Sequence, residues 1–352
     1  MRILWVASHL EGRGGIGRVV VGGARALAAR GHEVHVAGPA AADDLAPFDG
    51  LASHAWPRGG PRIARVPALL ALARRLAPDV VHFHAARPHA EWIGAARLLH
   101  GAIGRPVLAL SPHGSRPWPR RARRAVRSAD VVVVPSAWAA AAPRAAGARR
   151  VEIVPGGVAV GGAPDLAQRA PAVLVLGRLA ESKGLATALD AFAAVAAARP
   201  AWELWIAGDG PARDALVRRV EALACAARVR FLGWIEGAEK ERRLARAAIG
   251  VLPTLRESFG GALLEMQERG LACIASDVGG VAELAAGGAA HLVPPGDPAA
   301  LAAALAALID DTESRRTLAE RGRRNAERFD WPAIAARYES IYAGFVAGQP
   351  RA

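Results

Sequence analysis

The 352-residue chain, with 52% apolar residues, 22% charged residues and a net charge of +13, has the composition of a folded basic protein, and its length suits two domains. Its two cysteines are too few for a disulfide framework, and no uncharged apolar run reaches the ~20 residues of a membrane-spanning helix. Because the N-terminus also reaches glycine and charge too early for a signal peptide, these features argue against secreted and membrane-spanning proteins and predict a cytoplasmic one.

The first half of the chain has the pattern of a parallel α/β domain. Residues 2–7 are expected to form a buried strand, followed by a glycine loop at 12–17 and an amphipathic helix over 17–30. Continuous apolar runs are typical of parallel strands that are covered on both faces. Four more such strands are expected, at 33–37, 79–84, 106–111 and 130–136. A segment rich in glycine, proline and alanine, at 155–171, is the best candidate for a linker.

The same pattern then restarts. Five strands are expected, at 172–176, 203–207, 228–232, 249–252 and 272–275. Helices are expected near 184–198, 211–224, 238–247, 260–269, 298–309 and 331–345. We therefore predict an α/β fold of two doubly wound, Rossmann-like domains, at 1–160 and 171–330, with a ligand in the central cleft that they face. The last segment, 331–352, is expected to pack back toward the first domain.

The positive charge is confined to the first half of the sequence. Residues 1–170 contain 23 arginines and 10 carboxylates, whereas the remainder has 22 basic and 22 acidic residues. Such a field favours an anionic partner, namely a phosphorylated ligand, an anionic membrane surface or nucleic acid. An arginine-rich genome is the competing explanation, although it does not account for the confinement. Nucleic acid is disfavoured because no zinc-finger, RNP or basic-zipper pattern occurs.

The loop from Gly12 to Gly17 satisfies the G-x-G-x-x-G pattern of dinucleotide-binding proteins. That fingerprint needs its first glycine directly after the first strand and an acidic residue at the end of the second. Here four residues intervene, and the second strand ends in Ala37-Gly38-Pro39. A glycine loop still lets backbone N–H groups approach a phosphate at a helix start. A phosphate loop and a plain strand-to-helix turn therefore both remain open.

Two motifs of the second half place charge where open α/β sheets bind ligands, after the strands. Arg178 and Lys183 lie in a glycine-flanked loop and suit a diphosphate gripped from two sides, and Lys183 is one of only two lysines among 45 basic residues. Glu257 and Glu265 flank a helix start, where unpaired N–H groups and the helix dipole favour an anion. Solvated surface charges are the alternative, and the apolar neighbours of Glu265 argue against it.

Four histidines raise the question of a metal site. His82 and His84 alternate on a predicted strand and are expected to share a face, and His89 and His113 follow. No cysteine or carboxylate cluster accompanies them, and no Asp-x-Asp occurs in the chain. We therefore expect no metal.

These segments together resemble the retaining, nucleotide-sugar-dependent glycosyltransferases of family 4, which have the GT-B fold. The resemblance covers essentially the whole chain. It is carried by Gly14-Gly15, RGHEVHV, DVVHFH, His113-Gly114, SADVVVVPSAW, GRLAESKG, IAGDGP, FLGWI, ESFGGALLE and SDVGGVAEL. The specific feature is the combination of the two spaced glutamates with the preceding arginine and lysine, since each pair alone is a weak signal.

The resemblance implies four catalytic residues. Arg178 and Lys183 would bind the donor diphosphate and stabilise the charge that develops on it, without a metal. Glu257 would hold the donor sugar, and His113 would line the reaction centre near it. No cofactor is expected beyond the nucleotide sugar itself.

The resemblance also implies a set of donor-binding residues. Glu265 would accept hydrogen bonds from the ribose, Ile235 would meet the base through its backbone, and Lys240 lies close to that loop. Backbone N–H groups would complete the set, at Gly14, Gly15, Phe259, Gly260 and Gly261.

We therefore expect a retaining glycosyltransferase with a nucleotide-sugar donor and an acceptor that the sequence does not identify. A nucleotide-sugar epimerase on the same fold and a non-catalytic binding protein of this fold are the alternatives. The basic first half leads to a further hypothesis, docking on the inner face of the membrane to reach a lipid-linked or phosphorylated acceptor. Candidate contacts are Arg116–Arg127, with Trp118, and Arg58–Arg75. A soluble acceptor, with the charge steering anionic nucleotides, is the competing interpretation.

Overall fold

The structure, a computed structural model, describes residues 1–8, 10, 14–40, 46–56, 65–86, 106–114, 120–162 and 169–347. The chain divides into two compact units. The first unit contains Met1–Ala159 and Asp330–Ala352, and the second contains Val160–Phe329. The chain thus leaves the first unit within the segment predicted as a linker and returns to it at its C-terminal end.

A parallel seven-stranded sheet forms the centre of the first unit, in the order β3-β2-β1-β4-β5-β6-β7. Its strands are β1 (Arg2–Ala7), β2 (Glu33–Pro39), β3 (Ala52–Trp56), β4 (Val80–Ala85), β5 (Val107–Pro112), β6 (Val131–Val134) and β7 (Val151–Ile153). Its helices are α1 (Gly14–Ala29), α2 (Arg65–Leu76), α3 (Arg120–Ser128), α4 (Ala137–Ala145) and, from the end of the chain, α12 (Trp331–Ala347). The strand order reverses between β1 and β4, the kind of position where open sheets bind ligands.

Different helices cover the two faces of this sheet, because successive strand residues point to opposite sides. The face that includes Trp5 packs against α1 and α12, and the face that includes Leu4 packs against α2, α3 and α4. The first turn of α12 is anchored by Trp331. A side chain at Gly22 of α1, or at Gly157, would overlap the Trp331 ring, so glycine at both positions lets the ring approach the backbone.

The second unit contains a parallel six-stranded sheet in the order β10-β9-β8-β11-β12-β13. Its strands are β8 (Ala170–Leu176), β9 (Glu203–Ala207), β10 (Val229–Gly233), β11 (Ala247–Leu252), β12 (Ala272–Ser276) and β13 (His291–Val293). Its helices are α5 (Leu185–Ala196), α6 (Arg213–Glu221), α7 (Gly237–Arg246), α8 (Gly261–Glu268), α9 (Gly280–Leu284), α10 (Pro298–Asp310) and α11 (Thr312–Glu327). Here the strand order reverses between β8 and β11.

The predicted fold class is confirmed, and each predicted strand is present within two residues of its expected bounds. Two differences have a physical reason. The strands β3, β7 and β13 were not predicted, because they lie at sheet edges and lack the continuous apolar run of central strands. The prediction of a loop over 12–17 is wrong from Gly14 onward, because α1 begins at Gly14; Gly14 and Gly15 belong to its first turn, where N–H groups need no intrahelical partner.

Candidate functional site

The switch point of the second sheet carries the two charged motifs. Arg178 follows β8 by two residues, and Glu257 follows the neighbouring strand β11 by five. Because β8 and β11 are parallel, their carboxyl ends meet at the same edge of the sheet. The topology therefore brings together two segments that are 74 residues apart in sequence, from Lys183 to Glu257.

Backbone contacts fix these two segments against each other. The Leu255 N–H donates to the Ser182 carbonyl at 2.9 Å, and the Thr254 hydroxyl donates to the same carbonyl at 3.1 Å. Gly184 has a φ of +63° and lies so close to the Pro253 carbonyl that a side chain would overlap it. This close approach of the backbones places the side chain of residue 183 over the loop after β11.

Lys183 and Glu257 form an ion pair. The Lys183 Nζ lies 2.5 Å from Oε2 of Glu257, and the two side chains are 31% and 19% exposed. The other carboxylate oxygen of Glu257 accepts the N–H of Ser258 at 3.0 Å. Arg178, by contrast, is exposed, and its guanidinium makes no hydrogen bond or ion pair with any described residue. Among the described residues, Lys183 thus has an anionic partner and Arg178 has none.

The N-terminus of α8 lies directly after Glu257. Gly260 precedes the helix with a φ of +104°, and it has no side chain that could cap the N–H groups of the first turn. The preceding residue, Phe259, packs its ring against Phe329 with the ring centroids 5.9 Å apart. Backbone N–H groups from Phe259 to Gly261 are therefore held at the positive end of a helix dipole, which favours a bound anion or hydroxyl oxygen.

A second lysine–glutamate pair involves the other glutamate of the motif. Ile235 is in the turn between β10 and α7, and Lys240 is in the first part of α7. The Lys240 Nζ lies 3.5 Å from Oε2 of Glu265 on α8, and their side chains are 23% and 14% exposed. Both lysines of the chain thus contact the two glutamates of the motif. The sequence does not predict this pairing, although the scarcity of lysine pointed to both positions.

Three site residues predicted from the sequence belong to the first unit. Gly14, with a φ of +77°, and Gly15 begin α1, and no described atom lies within 4 Å of where a side chain would start at either. His113 follows β5, and its N–H donates to the Ala85 carbonyl at 2.8 Å. Its Nε2 lies 3.1 Å from Nδ1 of His84, and burial lowers the pKa of His113 to about 4.

The predicted absence of metal remains a prediction. His82 and His84 share a face of β4, as expected, and hydrogen-bond to Tyr342, Ser111 and His113. Within the described ranges no three His, Cys, Asp or Glu side chains are grouped as metal ligands are. His89, Trp118 and Arg58 lie outside the described residues. None of the described helices has the length and apolar character needed to span a membrane.

Comparison with known proteins identifies the family of the chain. Residues 13–161 match the family described as Glycosyltransferase Family 4, and residues 170–311 match Glycosyl transferases group 1. A phosphatidyl-myo-inositol mannosyltransferase of Mycobacterium leprae is 31% identical over 94% of this chain and 92% of its own length. A glycogen synthase of Mycobacterium tuberculosis is 32% identical over 50% of this chain, and the match spans 43% of that protein.

The fold has close structural relatives. HepE of Anabaena, whose structure was solved in complex with UDP, superposes with a TM-score of 0.81 at 20% identity and covers 98% of this chain and 100% of its own. The same protein was also solved with UDP-glucose. At this identity the likeness supports the fold alone.

Proposed function

The chain belongs to glycosyltransferase family 4 and has the GT-B fold, and on this premise we propose that it moves a sugar, with retention of configuration, from a nucleoside-diphosphate sugar to an anionic acceptor. The observation that carries the proposal is the pairing of both lysines with both glutamates of the motif, Glu257 and Glu265. Arg178, which has no side-chain partner among the described residues, and the N-terminus of α8, which has no side-chain cap, are the other two elements of the proposed site.

Arg178 and Lys183 are the proposed ligands of the donor diphosphate. A diphosphate carries more negative charge than the carboxylate of Glu257, so it competes for the Lys183 ammonium. Glu257 is then released to accept hydrogen bonds from hydroxyl groups of the donor sugar. As the bond between sugar and diphosphate breaks, charge builds on the leaving group, and fixed cations stabilise it without a metal.

The second pair is assigned to the nucleoside. Glu265 is proposed to accept hydrogen bonds from the ribose, with Lys240 fixing its carboxylate, and the backbone of Ile235 meets the base. The N–H groups of Phe259, Gly260 and Gly261 are assigned to the donor sugar. In the first unit, Gly14 and Gly15 are assigned to the phosphates and His113 to the sugar. The UDP and UDP-glucose complexes of HepE support a nucleotide-sugar donor.

Retention is proposed with same-face attack, assisted by the departing phosphate, because no paired carboxylate nucleophile is assigned among these residues. The product's anomeric configuration, measured by NMR, tests this part of the proposal. An inverted product would refute it while leaving the donor assignment intact.

A panel of UDP-, GDP- and ADP-sugars tests the donor site. A ligand at a hundredfold excess over its dissociation constant raises the free energy of unfolding by roughly 2.7 kcal/mol, so the cognate donor gives a clear thermal shift. Lys183→Ala should abolish that shift. Arg218→Ala, which removes an exposed cation of α6, is the matched control and should keep it. If no nucleotide sugar binds, the proposal is wrong, and if the sugar is epimerised without transfer, an epimerase is the better reading.

The acceptor is proposed to be lipid-linked or phosphorylated, at an anionic membrane surface on the cytoplasmic side. The helices α2, α3 and α4, which cover one face of the first sheet, contain no Asp or Glu. They carry exposed arginines and a tryptophan that is 45% exposed, at Arg74, Arg75, Arg123, Arg124, Arg127, Arg144 and Trp138. Each arginine near an anionic leaflet contributes about 1 kcal/mol to membrane binding. The Mycobacterium leprae relative is named for a lipid, phosphatidyl-myo-inositol.

Co-sedimentation with phosphatidylglycerol vesicles at low and high salt tests this surface. We expect binding at low salt that is lost at high salt, because exposed charges are screened beyond ~8–10 Å. Changing Arg123, Arg124 and Arg127 to Gln should weaken it. The same loss of charge in the second unit, at Arg213, Arg218 and Arg324, should not. Absence of binding at low salt, or equal effects of both triple variants, would favour a soluble acceptor.

A further inference from the structure

Three histidine rings form a row in the first unit, on the sheet face that α1 and α12 cover; His82 and His84 are fully buried and His113 is half-buried. His82 and His84 lie on β4, and His113 follows β5. Ring centroids are 4.1 Å apart between His82 and His84 and 5.4 Å apart between His84 and His113. Burial lowers the pKa of all three, so each imidazole is neutral near pH 7, with one N–H and one bare nitrogen.

The direction of hydrogen bonding is fixed at the inner end of the row. The Trp5 indole N–H can only donate, and it lies 3.2 Å from the Tyr342 hydroxyl oxygen. The phenol oxygen could accept a second hydrogen bond, but the hydroxyl hydrogen of Tyr342 finds an acceptor among the described residues only in Nδ1 of His82, at 2.5 Å. His82 therefore carries its proton on Nε2, from which it donates to the Ser111 hydroxyl at 2.8 Å.

The outer end of the row has a bare nitrogen. Nδ1 of His84 and Nε2 of His113 are 3.1 Å apart, so one donates and the other accepts. Nε2 of His84 is buried and has no hydrogen-bond partner among the described residues. A buried N–H without an acceptor is rarer and more costly than an acceptor without a donor. The proton of His84 thus belongs on Nδ1, and His113 accepts it at Nε2.

We propose that His84 is a positioning residue that fixes His113 in the tautomer with its proton on Nδ1, so that His113 acts as a hydrogen-bond donor to an oxygen of the donor sugar. The tautomer of a functional histidine is set by the bond that its other nitrogen makes. The assignment of His113 to the sugar rests on the proposed function. The tautomer itself does not.

Long-range ¹H–¹⁵N NMR of the full chain with ¹⁵N-labelled histidine measures the tautomers directly at pH 7, without any substrate. Each signal is assigned by its loss in a single-histidine variant. We expect Nδ1–H for His84 and His113 and Nε2–H for His82. An Nε2–H signal for His113 in the unaltered protein would overturn the proposal, whatever the enzyme's activity.

Two variants separate positioning from a structural role. His84→Leu removes the donor to His113, and Tyr342→Phe removes the hydrogen bond at the other end of the row. We expect His84→Leu to lose the Nδ1–H preference of His113 and to lower kcat roughly ten- to a hundredfold, by analogy with the loss of partners that orient metal-bound histidines. The KM for the donor should change by less than about threefold, because the hydrogen bonds and ion pairs to the diphosphate are untouched.

His84→Asn provides a rescue, because its amide nitrogen takes the place of Nδ1 and can donate to His113. It should restore most of the tautomer preference and of kcat. Tyr342→Phe should keep both, even if its Tm is lower. If His84→Leu leaves the tautomer unchanged, or if Tyr342→Phe shifts it equally, the proposal fails. If the unaltered protein turns over no nucleotide sugar, the proposed function fails and the tautomer result still decides the role of His84.

Discussion

Acid should destabilise the first unit of this protein through its buried histidines. His82, His84 and His113 are neutral in the folded chain, because burial lowers the pKa of each below the ordinary value of 6.5. An unfolded chain binds a proton at each of them as the pH falls through 6.5, whereas the folded chain does not. Stability is therefore fully present above about pH 7 and is lost progressively below pH 6.5.

The size of this loss of stability can be worked out for His113. With a pKa of about 4 in the folded state and 6.5 in the unfolded state, His113 alone lowers the free energy of unfolding by about 2 kcal/mol between pH 7 and pH 5. His82 and His84 act in the same direction. Domains of this size have only about 5–15 kcal/mol of stability, so the effect is large. This pH range, 5 to 7, lies above the range in which ion-paired carboxylates titrate; Arg30, for example, lowers the pKa of Glu339.

Urea unfolding at pH 7, 6 and 5 measures this loss, with hydrogen exchange of peptides from β4 identifying the transition of the first unit. His113→Gln removes one titrating group and should recover about 2 kcal/mol of the loss. His291→Gln, at an exposed position of the second unit, is the matched control and should leave the loss unchanged. A difference of less than about 1 kcal/mol between pH 7 and pH 5 would refute the reasoning, because neutral, buried imidazoles cannot give so small a dependence.

Three other predictions concern the donor site and the C-terminal helix. Lys183→Ala should lower turnover roughly 10²–10³-fold, since a preorganised charge at the leaving group is worth ~3–4 kcal/mol, and should cost stability only about 1–2 kcal/mol from its ion pair with Glu257. Transfer should survive EDTA, and a complete loss restored by Mg²⁺ or Mn²⁺ would contradict the metal-free assignment. Gly22→Ala should destabilise the first unit by about 1–3 kcal/mol, because the new methyl group overlaps Trp331, whereas Gly344→Ala, with no neighbour within 4 Å, should not.

The central strands were predictable because burial on both faces leaves a continuous apolar run in the sequence. β4, β6 and β11 show this run, and each is fully buried. The edge strands β3 and β7 carry no such signal. The charged helix α11 was also missed, because its apolar positions are few and most of its side chains face solvent.

The sequence indicated which residues belong to the candidate site, but it did not indicate which of them contact each other. Glycine-flanked charges after β8 and β11 indicated Arg178, Lys183 and Glu257, since parallel strands end at one edge. The ion pair of Lys183 with Glu257 depends on the hydrogen bond between Leu255 and Ser182 and on the close approach at Gly184. No spacing rule encodes such a contact between segments that are distant in sequence.

The contacts of the histidine row could not be predicted from the sequence either. The alternation of His82 and His84 predicted that their side chains share one face of the strand, and this is what the structure shows. What they contact depends on Tyr342, 260 residues further along the chain than His82. The sequence alone raised only the question of a metal site, and it did not predict these contacts.

The choice of lysine at position 183 has a physical reason within the proposed mechanism. An arginine there would meet the Glu257 carboxylate with a planar fork, and two parallel hydrogen bonds would have to break before a diphosphate could bind. A lysine ammonium is a point charge on a flexible stem, so it can turn from one oxygen anion to another without losing a paired geometry. The exposed guanidinium of Arg178, which has no such carboxylate partner among the described residues, is free of this constraint. In a chain whose other basic residues are nearly all arginine, an ammonium at a site of anion exchange is what this chemistry requires.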